Sequence, residues 1–403
     1  MRILVYSFYF PPHGGPGSLR PVKLLKYMSE NNLQGTIVSC SLEDYSIFDK
    51  SLMSEIPQNF DIIRTPRKAN PFRFIKNSAS SGIHSPRSDY LFLPDNKIWW
   101  VRKAVEMGIR AEPHADLVWA TCPPFSAAIA AKNAAVRLDV PLALDFRDSW
   151  LKNPNRPRLT AIHRAINRKK ARECVQRASL VTCVYDAIRN EVRELTQNSK
   201  IELIPNGYDP QDFENIHTAT HSENHLKIFY LGTLYSSFNY PLPILRAMAE
   251  LKNITLEIVG RYSDRLLEDT KKLGIEDRII LNDFMPHRDA LKKAAQADVM
   301  LLFVDKRLYS DGQITSKAYE YIGLGKPIIA CVPIGGEADI LMRNIDNAVT
   351  IDTEDESTII EVLKKFSLKK ETRNLQNITP SQKYSRKVHA QKLWDLFREI
   401  TPE

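Results

Sequence analysis

Residues 1–40 constrain the chain more than any other stretch, because the period of their hydrophobic residues changes twice. Residues 2–7, Arg2-Ile3-Leu4-Val5-Tyr6-Ser7, are an almost unbroken apolar run of the kind buried on both faces of a parallel sheet. Residues 18–30 place Leu19, Val22, Leu24, Leu25 and Met28 at helical spacing, and residues 36–40 return to a strand. Strand, helix and strand in that order make a β-α-β unit, whose crossover forces the two strands to run parallel. An α/β fold with helices over both faces of a sheet is therefore expected.

The same alternation runs through the rest of the chain. Strands are expected at 116–120, 141–145 and 200–204, then at 226–231, 254–259, 278–281, 299–303 and 327–331, with helices at 160–178 and 385–400. A chain of 403 residues is too long for one ordinary core and suits two domains. Pro205-Asn206-Gly207-Tyr208-Asp209 is a turn by its chemistry and marks the division. The expected domains are 1–206 and 207–380, followed by a terminal helical segment, 381–403. No internal repeat or low-complexity segment interrupts this pattern.

Hydrophobic residues make up 43% of the chain and charged ones 26%, which is the balance of a globular protein. Cys40, Cys122, Cys174, Cys183 and Cys331 are scattered and odd in number, with no C-x-x-C pair, so a reducing compartment without a disulfide frame or zinc site is expected. The apolar start is too short for a signal peptide and runs into Pro11-Pro12-His13-Gly14-Gly15, and no run approaches the ~20 apolar residues of a membrane span. A cytoplasmic protein follows as the expectation. The net charge of +8 is unevenly spread: residues 1–200 hold 30 Lys/Arg against 18 Asp/Glu, and residues 201–403 hold 26 against 30. The first half is thus expected to meet an anionic partner, with a membrane surface or phosphate-bearing acceptor fitting as well as nucleic acid. No nucleic-acid recognition motif is present, so nucleic acid is not an expected partner.

Several stretches carry candidate chemistry. Lys317 and Glu320 fall on one face of a short helix near its start, with Thr315 or Ser316 to cap it and Gly325 to end it. A lysine at a helix N-terminus attracts phosphate, and a carboxylate one turn deeper can accept both hydroxyls of a ribose. A solvated ion pair is the competing reading. Gly14 and Gly15 follow the first strand and allow close backbone approach, with N–H groups able to meet an anion; a simple tight turn is the alternative. Asp145, Arg147 and Asp148 end a strand at the sheet edge where ligands gather, although they equally suit an ion-pair cluster pinning that turn. Gly232 also follows a strand, and Arg261 follows Val259-Gly260. Arg67, Lys68, Phe72, Arg73, Phe74 and Lys76, followed by Trp99-Trp100, mix base and aromatic in a way that suits lipid headgroups or an ordinary surface loop. The helix at 160–178 is expected to bury Ile162, Ala165, Ile166, Cys174, Val175 and Ala178 and to show Arg164, Arg168, Lys169, Lys170, Arg172 and Arg177 to solvent or a membrane.

Ser-Lys-x-x-Glu-Tyr-x-x-x-Gly-Lys-Pro-Ile-Ile at 316–329 resembles the nucleotide-sugar segment of glycosyltransferase family four. Phe-Pro-Pro-x-Gly-Gly-x-x-x-x-Arg at 10–20, Pro-Pro-Phe-Ser at 123–126, Asp-x-Arg-Asp-x-Trp at 145–150 and Pro-Asn-Gly-x-Asp at 205–209 resemble other segments of that family in the expected order. The resemblance implies the GT-B fold: two Rossmann-like domains facing across a cleft, with the last helix crossing back to the first domain. It implies retaining transfer of a sugar from a nucleotide diphosphate. Gly14, Gly15, Gly232, Arg261, Lys317 and Glu320 would then hold the donor, with Arg20 near the cleft wall and Arg147 and Asp148 on the acceptor side. A lipid-linked or cell-envelope glycan is the expected acceptor. With no D-x-D motif in the sequence, neither metal nor other cofactor is expected.

The sequence departs from the family in three places. Thr121-Cys122 stands where many relatives have a sugar-facing histidine, so no catalytic histidine is assigned. Residues 234–240 lack the usual Arg and Lys, for which Arg261 and Lys317 are the available substitutes. Gly312 replaces the first acid of the family's Glu-x7-Glu. These gaps motivate a second reading, a catalytically inactive relative serving as a binding or scaffold subunit.

Overall fold

The structure is a computed structural model that describes residues 1–45, 47–66, 92–153, 160–197, 200–216, 225–234, 240–305, 314–371 and 377–401. The basic-aromatic residues from Arg67 to Lys76, Gly312, and most of 234–240 lie outside these described residues. The chain forms two compact units, Met1–Pro205 with Lys387–Glu403, and Asn206–Arg386.

In the first unit, β1 (Arg2–Tyr6), β2 (Gln34–Cys40), β3 (Phe60–Thr65), β4 (Leu117–Cys122), β5 (Leu142–Phe146), β6 (Leu180–Cys183) and β7 (Lys200–Leu203) form one sheet in the order β3-β2-β1-β4-β5-β6-β7. Every pairing is parallel, as continuous apolar runs joined by helices require. The helices are α1 (Pro16–Ser29), α2 (Val101–Ala111), α3 (Ser126–Leu138), α4 (Ala161–Arg177), α5 (Asp186–Arg193) and the last of the chain, α12 (Arg386–Ile400). The core joins Ile3, Val5, Leu117 and Trp119 of the sheet to Val22, Leu25 and Met28 of α1 and to Ala390, Leu393 and Phe397 of α12. Trp119 meets Phe397 edge-on, with ring centroids 5.8 Å apart.

Helix α4 corrects the expected packing face at Ile162, Ala165 and Ile166, which are exposed, and keeps Cys174, Val175 and Ala178 buried as expected. Asn167, Ala171, Cys174 and Val175 are buried, while Ile162 is 72% and Ile166 43% exposed. Helical spacing of about 3.6 residues per turn sets Ile162 and Ile166 roughly opposite Ala171, Cys174 and Ala178, and Asn167 lies on the buried side, where its side-chain oxygen accepts from the indole N–H of buried Trp150 at 3.0 Å. That bond satisfies two buried polar groups at once.

In the second unit, β8 (Leu226–Leu231), β9 (Ile254–Val259), β10 (Ile279–Asn282), β11 (Val299–Phe303), β12 (Ile328–Cys331) and β13 (Ala348–Ile351) form a parallel sheet in the order β10-β9-β8-β11-β12-β13. Helices α6 (Leu242–Glu250), α7 (Asp264–Lys272), α8 (His287–Ala294), α9 (Ser316–Leu324), α10 (Glu337–Met342) and α11 (Glu356–Glu371) connect the strands. Ile228, Tyr230, Leu256 and Ile258 pack with Leu245 and Met248 of α6 and with Ile359 and Leu363 of α11. The segments entering and leaving this unit pair side by side: Tyr208 N–H donates to Tyr384 O at 3.0 Å, and Arg386 N–H donates to Tyr208 O at 2.8 Å.

Both sheets start in the middle, build outward one way, then jump back across their first strand. The reversal lies between β1 and β4 in one unit and between β8 and β11 in the other. At such a point successive connections leave in opposite directions, and the carboxyl ends of the strands open a crevice for ligand.

Candidate functional site

In the second unit the reversal point gathers the end of β8, the end of β9 and the start of α9. Thr315 caps α9 by its extended backbone alone, without a side-chain bond, and Gly325 ends it in the left-handed region at φ 65. A Cβ there would lie 2.1 Å from Ile378 O, so glycine is required twice over. The ammonium of half-buried Lys317, in the first turn, lies 3.9 Å from the centroid of the Tyr230 ring. Gly232 makes room for it: a Cβ at that position would stand 3.1 Å from Lys317 Nζ. The Gly232 N–H is spent on Val259 O at 2.9 Å, so this glycine contributes space and not a free donor. Burial draws the Lys317 ammonium down to about 7, against the pull of the Glu320 charge. Arg261 is exposed, and its carbonyl accepts from Leu234 N–H at 2.8 Å, tying the two loops together.

Glu320 lies one turn after Lys317 and is only 4% exposed. It faces His287, the first residue of α8, whose Nε2 is 2.9 Å from Glu320 Oε1. On its other side His287 Nδ1 is 3.8 Å from a carboxylate oxygen of Asp212. Burial alone would raise the Glu320 pKa, but the charge and hydrogen bond of His287, with Arg386 and Lys317, bring it below the usual carboxylate range. Burial would likewise lower His287, yet Glu320 and Asp212 outweigh burial and Arg386 and raise it. His287, Asp212 and Arg386 are absent from the sequence-based site, because the first two lie far from α9 along the chain and belong to no motif. Pro286-His287 at a helix start, after the strand beside β8's partner, is the faint signal present.

In the first unit the reversal point holds the loop after β1 and the turn after β4. Gly14 N–H donates to Ile47 O at 3.0 Å, so that donor is occupied, while Gly15 adopts φ 93 immediately before α1. Between the proline pair and these glycines, the His13 ring lies against Tyr9, tilted by 33° with centroids 4.5 Å apart, and pairs its Nδ1 with Ser18 Oγ at 3.0 Å. Burial, with help from Arg147 and Lys97, lowers His13 to about 4, so it is neutral at physiological pH. Arg147 stitches the edge together by donating to Gly17 O at 2.9 Å, Cys122 O at 3.1 Å and Pro123 O at 2.6 Å. Half-buried Asp148 adds favourable charge beside it.

Arg20 lies beneath this edge and not on it. Its guanidinium is 4% exposed, forms a two-pronged pair with fully buried Asp145 at 2.8 and 3.0 Å, and caps Ile204 O and Pro205 O. Thr121 and Thr182 complete the Asp145 shell at 2.9 and 2.8 Å. The next turn is fixed by buried Glu191, which accepts from the backbone N–H groups of Trp150, Leu151 and Lys152 and from Ser149 Oγ. Between β3 and α2, Ile63, Met107, Lys103 and Arg110 line an open groove of about 670 Å³. Among the described residues, no group of His, Cys, Asp or Glu is arranged to hold a metal ion, and no helix is long and apolar enough to cross a membrane.

Two family models match the chain in series: the glycosyl transferase 4-like domain over residues 67–207, and glycosyl transferases group 1 over residues 212–378. Among curated proteins none matches the sequence at a significant level. Among solved structures, the sucrose-phosphate synthase of Thermosynechococcus elongatus superposes with a TM-score of 0.71 at 12% identity, covering 99% of this chain and 98% of that one. HepE of Anabaena, solved with UDP and glucose, gives 0.64 at 15% identity over 99% and 100% of the two chains. The lipopolysaccharide outer core galactosyltransferase WaaB gives 0.61 at 14% identity over 99% and 100%. At these identities the superpositions establish the fold, and the matched domain models carry the assignment further. With a 4-like domain followed by a group 1 domain on two Rossmann-like sheets, the chain belongs to the GT-B glycosyltransferases of the family-four type.

Proposed function

We propose that this transferase moves a sugar, with retention of anomeric configuration, from a nucleotide-diphosphate donor to a lipid-linked or cell-envelope glycan. The observation that carries the donor half is the placement of Lys317 and buried Glu320 one turn apart at the start of α9, beside the space left by Gly232. The departing diphosphate gains negative charge as the glycosidic bond breaks. Lys317, the α9 N-terminus and exposed Arg261 supply positive potential that is worth most once water is excluded. Glu320 accepts from the ribose hydroxyls. Gly14 and Gly15 belong to the donor side, and Arg147 and Asp148 to the acceptor side, by the family's pattern; Arg147 acts there through the backbone it holds. No resident metal enters this reading.

The acceptor half rests on the first unit's surface. Exposed Ile162 and Ile166 lie among Arg164, Arg168, Lys169 and Arg172 on α4, an apolar pair ringed by cations that suits the headgroup zone of an anionic bilayer. Peripheral attachment at the inner face of the cell membrane would bring a lipid-linked acceptor to the enzyme.

The test is a panel of nucleotide sugars screened for a rise in melting temperature, because a ligand of the folded form alone stabilises it. The strongest binder is then measured calorimetrically against Glu320→Ala and Lys317→Ala. Weakened binding in both is expected; unchanged affinity in both, or no transfer or donor hydrolysis by the native chain, overturns the proposal.

A further inference from the structure

Glu320 is deep, charged and surrounded by groups from three other parts of the chain, which is more apparatus than an exposed ribose contact needs. His287 approaches from the first turn of α8, Asp212 from the short helical turn Pro210–Phe213 behind the chain's entry into this unit, and Arg386 from the first residue of α12. We propose that His287, backed by Asp212, is the positioning residue that aims the Glu320 carboxylate at the donor's ribose. The inference rests on the proposed function and adds to it the group that makes the ribose contact selective.

The geometry supplies the argument. A glutamate side chain turns about three bonds, and its carboxylate presents two oxygens that are equivalent until something distinguishes them. His287 Nε2, 2.9 Å from Oε1, fixes one oxygen and with it the plane of the group, leaving Oε2 available to a hydroxyl. The imidazole is itself located by the Asp212 carboxylate, 3.8 Å from Nδ1, and is 14% exposed, so it has little room to swing. A carboxyl buried to 5% of its side-chain surface would tend to take up a proton and lose half its accepting power. The charge and hydrogen bond of His287, with Arg386 and Lys317, oppose this and hold its pKa below the usual carboxylate range. This is the arrangement by which a carboxylate orients a histidine at metal centres, used here in the opposite sense, with histidine orienting a carboxylate.

The readout is discrimination between a ribose and a 2′-deoxyribose, in which every effect on the phosphates cancels. UDP, GDP and ADP are titrated calorimetrically, and the one that binds is compared with its 2′-deoxy counterpart. The native chain is expected to prefer the ribonucleotide by roughly ten- to a hundredfold, the worth of a hydrogen bond to a charged group. In His287→Ala the preference collapses, with melting temperature checking that the variant is folded. His287→Gln, which restores a donor near Oε1, recovers most of it, and Asp212→Asn lowers it by loosening the imidazole. If His287→Ala does not fold, Asp212→Asn decides alone. A native chain that binds no nucleoside diphosphate refutes the proposed function itself. Binding without ribose preference, or a preference untouched in the folded variants, refutes the positioning role.

Discussion

Lys317 makes nucleotide binding a proton-uptake reaction. Burial draws its ammonium down to about 7, so in the empty site about half of the molecules carry it neutral near neutral pH. A diphosphate at the start of α9 favours the charged form, and the complex should hold the lysine fully protonated. Binding then takes up about half a proton at neutrality, approaches one proton at about one pH unit higher, and falls toward none at about one unit lower. The sign follows from the downward shift: the free protein lacks the proton on the alkaline side, so affinity falls as pH rises through about 7, approaching about tenfold per pH unit beyond it. The assay is calorimetry with an intact nucleotide sugar in buffers of different ionisation enthalpy. Each phosphate of such a donor carries one ester and one anhydride link and has no second proton to lose, so the ligand adds no titration near neutrality, unlike a terminal phosphate with its second pKa of about 6. Lys317→Arg should bind without uptake, since a guanidinium stays charged throughout. A heat of binding that does not vary with buffer, or an uptake that survives Lys317→Arg, refutes the assignment of the phosphate contact to this side chain.

Other consequences are accessible to standard measurements. Arg20→Ala leaves the Asp145 carboxylate buried without its partner and should cost about 3–5 kcal/mol in urea denaturation. Burial would raise the Asp145 pKa, but Arg20's charge and hydrogen bonds lower it; this contribution is present above the ordinary carboxylate range and is lost as pH falls through the folded value, and acid titration of stability in native and Arg20→Ala chains should differ there. Gly260→Ala brings a Cβ to 2.3 Å from Gly232 O and should cut both stability and donor affinity, whereas Gly274→Ala, at φ 64 in open space, should cost only about 1–2 kcal/mol and leave affinity alone. Ile162→Asp with Ile166→Asp should reduce co-sedimentation with vesicles rich in anionic lipid without changing nucleotide affinity; undiminished sedimentation removes α4 from the membrane reading. Sugar transfer should persist in excess chelator, and its loss would restore a metal to the mechanism.

Many strands were legible where apolar residues ran unbroken, because a strand between two helix layers has no solvent face to advertise, but β3, β6 and β13 were not among those expected. Leu226–Leu231, Ile254–Val259 and Val299–Phe303 stand in the structure at the bounds that the sequence implies. The Lys317–Glu320 spacing was legible for the same reason: helical periodicity is local. What sequence could not display is competition for hydrogen bonds across long separations. Arg147 reads either as a ligand-facing cation or as a pin for its own turn, and sequence could not display that three backbone carbonyls far along the chain receive its guanidinium. Helix α4 reads as presenting Ile162 and Ile166 inward, but at about 3.6 residues per turn they fall roughly opposite buried Ala171 and Cys174, on whose side Asn167 bonds Trp150. His287 and Asp212 escape notice because only folding brings them to Glu320.

The terminal helix has a bearing on how the chain is made. Residues Ala390, Leu393 and Phe397 complete the core around Trp119, so the first of the two sheets to leave the ribosome stays open along one side until α12 has been made. The later sheet, by contrast, is a single uninterrupted stretch, Asn206–Arg386, and can close during translation. Maturation should therefore run backward relative to synthesis, and a nascent chain halted before α12 would expose an oily slot that attracts chaperones.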